Sequence, residues 1–397
     1  MKVLLVSEPG ENGVFRQVED LADYLIAAGH TVSLAYSDVR SSDRLFALLK
    51  RIQEASGYTV NLRVVNQPQL GDMHALWQLG RLYSRFRPDV IHAHSAKAGA
   101  LVRILRRLGS RTPAFYTPHA YYGMGRPPSP LNSFFTYVER FLGSSAMTLN
   151  TSADEADFAI NTLHAPSRLQ RTVQNGVDTQ HFTPCLPHEK KKLRAEFGIP
   201  DDAVVLGTLG RFSYQKDPAT LHQAFRACAD LKPNLHLIHV GAGELRGNVQ
   251  AYAKTHGYNQ RVTWIEYLRD PAPFYRMLDG FILTSRYEGL SLAVLEALAV
   301  DVPILLSDAP GNRGFSSLDF SHHWTARIQS PESFASAITS WYADRSHHRP
   351  CNHRALTIQH FSRQRQFQHI QELYSLALTG ASSTAGPAKV KAPLSVP

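Results

Sequence analysis

Short apolar runs alternate with amphipathic segments of helical spacing from the first residues of the chain, a rhythm that predicts strand and helix in turn. Lys2 to Ser7 reads as a strand, and the loop after it ends at Asn12-Gly13. Val14, Val18, Leu21, Leu25 and Ile26 then recur at helical spacing until Gly29-His30, and Thr31 to Tyr36 forms a second apolar run. Further strands are predicted at Asn61 to Val65, Asp89 to Ala93, Ala114 to Thr117 and Ala146 to Asn150. The rhythm restarts after residue 200, with strands at Ala203 to Leu209, Leu235 to Val240, Val262 to Ile265, Gly280 to Thr284 and Pro303 to Leu306, and a helix near Pro218 to Asp230. Strands separated by helices predict parallel sheets covered on both faces, so each half reads as a doubly wound α/β domain. Thr183-Pro184-Cys185-Leu186-Pro187, followed by Lys190-Lys191-Lys192, reads as the linker between them, with the boundary near residue 185.

Composition narrows the class. A chain of 397 residues exceeds the ~250–300 residues at which single cores stop growing. With 43% hydrophobic and 19% charged residues it has the make-up of an ordinary globular protein. Cys185, Cys228 and Cys351 lack the short paired spacings of zinc or redox motifs and read as free thiols in a reducing compartment. The apolar N-terminal run is too short for a signal peptide or a membrane span, and no later stretch is long enough to cross a bilayer, which favours a cytoplasmic protein. The net charge of +9 favours anionic partners without choosing among nucleic acid, phosphorylated substrates and acidic membranes. Residues 381–397, rich in Ala, Ser, Pro and Lys, read as a disordered tail.

Ligands of doubly wound sheets bind beyond the carboxyl ends of the strands, so the loops there are where chemistry is expected. Gly13, after Asn12, would let backbone approach a ligand at a helix entry, and is equally explained as a turn glycine. Gly210-Arg211 and Lys216-Asp217-Pro218 bracket a loop whose two cations suit a diphosphate or a solvated surface. Gly241-Ala242-Gly243 follows a strand and fits either a phosphate cradle or a tight turn. The sharpest signal is Glu288-Gly289-Leu290-Ser291-Leu292, which leads into a helix where Glu296 stands among apolar neighbours. A buried carboxylate requires partners. One extended ligand would satisfy the set: Glu288 on hydroxyls at one end, helix amides with Arg211 and Lys216 on phosphates, and Glu296 on a ribose.

Glu288 and Glu296, separated by seven residues and preceded by the Gly210-Arg211-x4-Lys216 loop, resemble the motifs of retaining glycosyltransferases of family 4. Ala28-Gly29-His30-Thr31-Val32, Pro88-Asp89-Val90-Ile91-His92-Ala93-His94, Tyr116-Thr117-Pro118-His119 and Asn175-Gly176-Val177-Asp178 extend the resemblance over most of the chain. It implies a GT-B fold, two facing Rossmann-like domains with a cleft between them. Residues 1–185 would form an acceptor-side domain, 186–360 a donor domain, and 361–380 a helix crossing back to the first. It further implies donor sugar on Glu288, ribose on Glu296, diphosphate on Arg211 and Lys216, and His119 beside the reacting sugar, with His94 and Asn12 on the acceptor side. Donor contacts would extend over Gly13, Gly241, Gly289, Leu290, Ser291 and Leu292. Two positions depart from the pattern: Asn12 replaces the first of two glycines, and Asp301 stands where a glycine usually follows the Glu296 helix.

The resulting expectation is metal-independent, retaining transfer of a hexose from a nucleotide diphosphate sugar to a polyprenyl-linked saccharide in bacterial surface or exopolysaccharide synthesis. The Ser285-Arg286-Tyr287-Glu288-Gly289 context favours a uridine nucleotide over guanosine diphosphate mannose. Arg103, Arg106 and Arg107 with Lys97, interleaved with Leu101, Leu105 and Leu108, suggest peripheral contact with the acidic inner face of the cytoplasmic membrane, and equally fit a solvated helix over a core. No basic recognition helix or aromatic platform supports nucleic-acid binding. The competing readings are a catalytically idle sugar-nucleotide-binding assembly partner and a sugar-nucleotide 2-epimerase.

Overall fold

The computed structural model describes residues 1–127, 129–316, 318–344 and 351–380; the tail at 381–397 lies outside the described residues. In the first half, strands β1 (Lys2–Ser7), β2 (Thr31–Tyr36), β3 (Thr59–Asn61), β4 (Val90–His94), β5 (Ala114–Thr117), β6 (Met147–Asn150) and β7 (Gln170–Thr172) form one sheet. Its order is β3-β2-β1-β4-β5-β6-β7, and every pairing is parallel. Helices α1 (Asn12–Ala27), α2 (Asp43–Glu54), α3 (Gly71–Phe86), α4 (Ala96–Arg107), α5 (Pro130–Leu142) and α6 (Ala153–Asp157) connect the strands. The second half opens on α7 (Pro187–Glu196) and builds β8 (Val204–Leu209), β9 (Leu235–Val240), β10 (Val262–Ile265), β11 (Gly280–Leu283), β12 (Ile304–Ser307) and β13 (His323–Ala326) into a second parallel sheet. There the order is β10-β9-β8-β11-β12-β13. Its helices are α8 (Pro218–Ala229), α9 (Arg246–Thr255), α10 (Ala272–Met277), α11 (Leu292–Ala299), α12 (Arg313–Ser316) and α13 (Pro331–Asp344). After α14 (His353–Phe361), α15 (Arg363–Thr379) ends the described chain.

These are the two Rossmann-like sheets of a GT-B fold. The strand order reverses between β1 and β4 in one and between β8 and β11 in the other, which opens a crevice above each reversal. Strand β3 ends at Asn61, short of the predicted Val65, because Arg63 takes a left-handed φ of 49° and turns the chain out of the sheet.

Helix α15 returns to the first sheet. Phe367, Ile370, Leu373 and Tyr374 are buried in the core that α1 and α2 share with β1 and β2. Each large apolar side chain so buried contributes about 2 kcal/mol. Polar contacts fix the crossing: Gly176 N donates to Gln366 Oε1 at 2.7 Å, and Gln366 Nε2 donates to Gln17 Oε1 at 2.8 Å. Arg363 bridges Asp20 and Asp178 at 3.0 and 2.8 Å. A Cβ on Gly176 would lie 2.6 Å from the Arg363 Cα, so the two passing segments meet backbone to backbone.

Both departures from the family pattern have a local explanation. Asn12 adopts φ 64° and Asp301 φ 60°, conformations that glycine takes freely and that asparagine and aspartate tolerate best among the rest. Asp301 gains a compensating bond, its Oδ1 accepting from Arg354 N at 2.7 Å in the first turn of α14.

Half of the basic face expected on α4 is covered, while Arg107 and Leu108 at its end stay exposed. Lys97 is buried and pairs with Asp72 at 2.5 Å, Arg103 is buried against Glu139 at 2.8 Å, and Leu101 is 3% exposed. Helix α4 packs between α3 and α5, so Lys97 and Arg103 meet a carboxylate of each neighbour, while Arg106 and Arg107 bond to Ser110 O and Ser145 Oγ. Helical periodicity reads one helix at a time and does not register that cover.

Candidate active site

The loops after β8 and β11, which flank the second sheet's reversal, are tied to each other. Thr284 Oγ1 donates to the Lys216 and Asp217 carbonyls at 3.0 Å each, and Arg286 N donates to Gln215 O at 2.8 Å. Arg286 also pairs with Asp217 at 3.1 Å and lies over the Tyr214 ring. This scaffold presents Lys216 to Glu288: the ammonium lies 2.5 Å from Glu288 Oε1, which also accepts from Ser285 Oγ at 2.6 Å. Glu288 and Ser291 are both 5% exposed, and Ser291 occupies the N-cap of α11 without capping it through its side chain. The first amides of α11 therefore sit next to an ion pair, where the helix dipole favours an anion.

Arg211 diverges from Lys216. It is half exposed and reaches Glu244 at 3.8 Å on the rim of the loop. Gly241 takes φ 148°, and its Cβ position is filled by the Gly210 carbonyl, so it packs loop against loop.

The first domain closes over this face. A Cβ on Gly13 would meet Leu292 at 3.5 Å, which sets the start of α1 against the start of α11. Leu290 O accepts from Asn175 Nδ2 at 2.8 Å, and Gly311 N donates to Asp154 at 2.7 Å. At Gly289 the approach is closest: an added Cβ would meet Thr151 Oγ1 at 2.5 Å, Glu155 Oε1 at 2.8 Å and Ala120 N at 3.1 Å. The Glu288-Gly289 turn thus abuts the His119-Ala120 turn. Arg126 completes the closure by donating to the Tyr287 hydroxyl at 3.0 Å.

His119 and Ala120 have φ of 55° and 81°, consecutive left-handed residues that cost roughly 1–2 kcal/mol each. The Glu155 carboxylate holds this turn by accepting from Ala120 N and from Thr151 N and Oγ1. Burial pushes Glu155 up to about 7 despite those donors. His119 Nε2 lies 3.1 Å from His94 Nδ1 with the rings stacked, and His92 packs on His94 from the other side. Burial drives all three imidazoles down, His119 to about 4, His92 to about 3 and His94 well below its ordinary value, so they are neutral at pH 7. His94 also lines a cavity of about 10 Å³, the size of one water, with Gln17, Thr117, His119 and Gln366.

Glu296 is 1% exposed on the second turn of α11. Its partner comes from the opposite domain: Arg16 Nη1 on α1 lies 2.6 Å from Glu296 Oε1, with the guanidinium over the Phe182 ring. The Tyr275 hydroxyl also faces Glu296, but neither it nor Glu296 Oε1 makes a hydrogen bond of good geometry. Buried acceptors and donors left open in this way are what a ribose diol would satisfy.

Arg16, Glu155 and Arg126 were not singled out by sequence. Ser152-x-x-Glu155 carries the spacing of a helix capping box, and Ser152 Oγ does accept from Glu155 N at 3.2 Å, but the carboxylate turns away to the His119 loop. Among the described residues no three His, Cys, Asp or Glu side chains cluster as metal ligands.

Two facing parallel-sheet domains, with a lysine, two glutamates and a helix terminus at their junction, define a GT-B glycosyltransferase. Residues 11–181 match the sequence model described as Glycosyltransferase Family 4, and residues 189–357 match that of Glycosyl transferases group 1. The chain belongs to glycosyltransferase family 4. It is 25% identical over 272 residues to the Escherichia coli UDP-Gal:alpha-D-GlcNAc-diphosphoundecaprenol alpha-1,3-galactosyltransferase, covering 67% of this chain and 70% of the relative. Among solved structures, sucrose-phosphate synthase of Thermosynechococcus elongatus superposes with a TM-score of 0.80 at 18% identity, over 96% of this chain and all of that one. HepE of Anabaena in complex with UDP-glucose superposes with a TM-score of 0.76 at 19% identity, over 94% of this chain and 99% of that one.

Proposed function

We propose that this enzyme transfers a hexose from a nucleoside diphosphate sugar to a hydroxyl of a polyprenyl-linked saccharide, with retention at the anomeric carbon, in assembly of a bacterial surface polysaccharide. The observation that carries the reading is the Lys216–Glu288 pair at the start of α11, enclosed by the Gly13 turn and the His119 turn of the other domain. The diphosphate lies against Lys216 and the α11 amides, with Arg211 at the rim, and these stabilise negative charge as the bond to the sugar breaks. Glu288 accepts from sugar hydroxyls, Glu296 and Tyr275 bind the ribose, and neutral His119 hydrogen-bonds the reacting sugar.

The acceptor oxygen bonds to the anomeric carbon on the face the diphosphate leaves, and the departing phosphate oxygen takes the acceptor's proton. Cationic side chains supply the charge that a divalent ion would otherwise provide. The Escherichia coli relative, named for a UDP-sugar donor and a diphosphoundecaprenol acceptor, supports both substrate classes and a uridine donor.

The test incubates the protein with UDP-hexoses or GDP-mannose and a polyprenyl-diphosphate-linked N-acetylglucosamine, with and without EDTA, and assigns the product anomer by NMR. Acceptor-dependent release of UDP, an axial product from an axial donor, and indifference to EDTA are expected. An inverted product, or no nucleotide release with any donor, overturns the reading; release of GDP alone overturns the uridine assignment.

A further inference from the structure

Helix α5 turns its apolar side outward. Leu131, Phe134, Tyr137 and Phe141 are 50, 49, 66 and 54% exposed, although each is a residue type that a folded domain normally packs inward. At 100° per residue they fall within an arc of about 120°, one continuous stripe along a helix about 20 Å long. The side turned away from the stripe is seated in the fold, since Glu139 there is buried against Arg103. An amphipathic helix whose core side is satisfied and whose second apolar side faces solvent requires another apolar phase for that side.

The charge around the stripe identifies the phase. Glu139 is the only carboxylate between Val90 and Ala153, a stretch that holds seven lysines and arginines. Glu139 is itself paired with buried Arg103, and Lys97 with Asp72, which leaves Arg106, Arg107, Arg111, Arg126 and Arg140 as the remaining cations of the stretch. Arg107 lies over the Phe141 ring at 4.1 Å and donates to Ser145 Oγ at 2.9 Å, and Arg140 is exposed on α5 itself. Cations fixed at the edge of an aromatic and aliphatic stripe match the phosphate level above an acyl layer. A second copy of this chain would bring the same positive field against itself.

We propose that α5 is a membrane-docking helix, with Leu131, Phe134, Tyr137 and Phe141 entering the interface of an anionic phospholipid bilayer and Arg107 and Arg140 at its headgroups. The proposal deepens the lipid-linked acceptor reading, on which it rests. Residues 118–129 connect the His119 turn directly to α5, and Arg126 within them touches Tyr287 beside Glu288. Docking along α5 therefore sets the mouth of the cleft next to the plane in which a polyprenyl-linked acceptor lies.

The experiment is flotation of the full chain with phosphatidylglycerol–phosphatidylethanolamine vesicles and with phosphatidylcholine vesicles. The wild type should float at least tenfold more with the anionic vesicles. The double variants Phe134→Ser/Phe141→Ser and Arg107→Gln/Arg140→Gln should each lose most of that binding. Hydrogen exchange of the wild type should show residues 130–142 newly protected by anionic vesicles, which tests the surface even if a variant folds poorly. Equal flotation with both lipids, or protection elsewhere but not at 130–142, overturns the proposal. A wild-type dimer converted to monomer by Phe134→Ser/Phe141→Ser also overturns it, by giving the stripe to a second copy. Donor hydrolysis in vesicle-free buffer, measured alongside, separates the two readings: hydrolysis without flotation sinks the docking surface, and flotation without turnover on any donor sinks the transferase chemistry.

Discussion

Arg16 of the first domain and Glu296 of the second form an ion pair across the cleft, 2.6 Å apart, with Glu296 closed to solvent and Arg16 partly exposed. Glu296 is the carboxylate proposed to bind the donor ribose, and on that proposal the nucleotide site shares its charge compensation with the opposite domain. Arg16→Ala leaves a buried carboxylate without its cation, a change worth about 3–5 kcal/mol in comparable buried pairs. The expected outcome is a melting temperature lower by several degrees and a higher donor KM, read by calorimetry and steady-state kinetics. Unchanged values in both would show that the pair does not bridge the domains in solution.

Glu288→Gln keeps the shape of the side chain and removes the charge that Lys216 faces. A loss of about 10²–10³ in kcat is expected, the scale of removing one preorganised electrostatic partner. Lys216→Ala should lower kcat to a similar degree, and the double variant should fall well short of the product of the two losses, because the residues act as a unit.

Gly289 has no room for a side chain when the domains meet. Gly289→Ala should leave each domain folded, with the far-ultraviolet spectrum unchanged, while transferase activity falls at least tenfold because Thr151, Glu155 and the Ala120 amide cannot close on the turn. Full activity would mean that the approach at Gly289 is not part of the working state.

Acid should destabilise the protein early. His119 and His92, held neutral by burial at about 4 and about 3, take up protons in the unfolded chain near its ordinary 6.5 but not in the folded one. The unfolded state therefore binds more protons between pH 6.5 and 4, and stability falls as pH is lowered through that window. For His119 alone the full effect is on the order of 3 kcal/mol. His119→Asn should flatten the dependence of melting temperature on pH over this range, and an unchanged slope would contradict the burial described for His119.

Tyr374 on α15 reaches His92 with its hydroxyl at 2.6 Å. Tyr374→Phe preserves the packing and leaves the buried His92 Nδ1 without a partner, at a cost of about 1–3 kcal/mol. Denaturant titration should show the loss as a lower midpoint with an unchanged slope.

The alternation of apolar runs carried most of the fold into view, since interior parallel strands are mostly apolar, as in Val3 to Val6 of β1 and Ile304 to Leu306 of β12. Strands β7 and β13 escaped because they are sheet edges, where Gln170-Arg171-Thr172 and His323-Trp324-Thr325-Ala326 need no apolar run. Glu288 and Glu296 stood out as carboxylates beside an apolar helix. Arg16 and Glu155 did not, because nothing near Arg16 in sequence announces a partner at position 296, and a capping-box spacing explains Glu155 without reference to the His119 turn. The pairing of Lys97 and Arg103 on α4 was hidden for the same reason: pairing is a property of neighbours in space.

The return of α15 also sets an order of events during synthesis. The hydrophobic face of the first sheet lacks Phe367, Ile370, Leu373 and Tyr374 until the last described helix has been made, nearly 200 residues after the first domain's own chain is complete. At ribosomal speeds that interval is roughly 10–40 s. The half that emerges first is therefore the half that finishes folding last, and until α15 leaves the ribosome an apolar strip on the nascent chain stays open to chaperones.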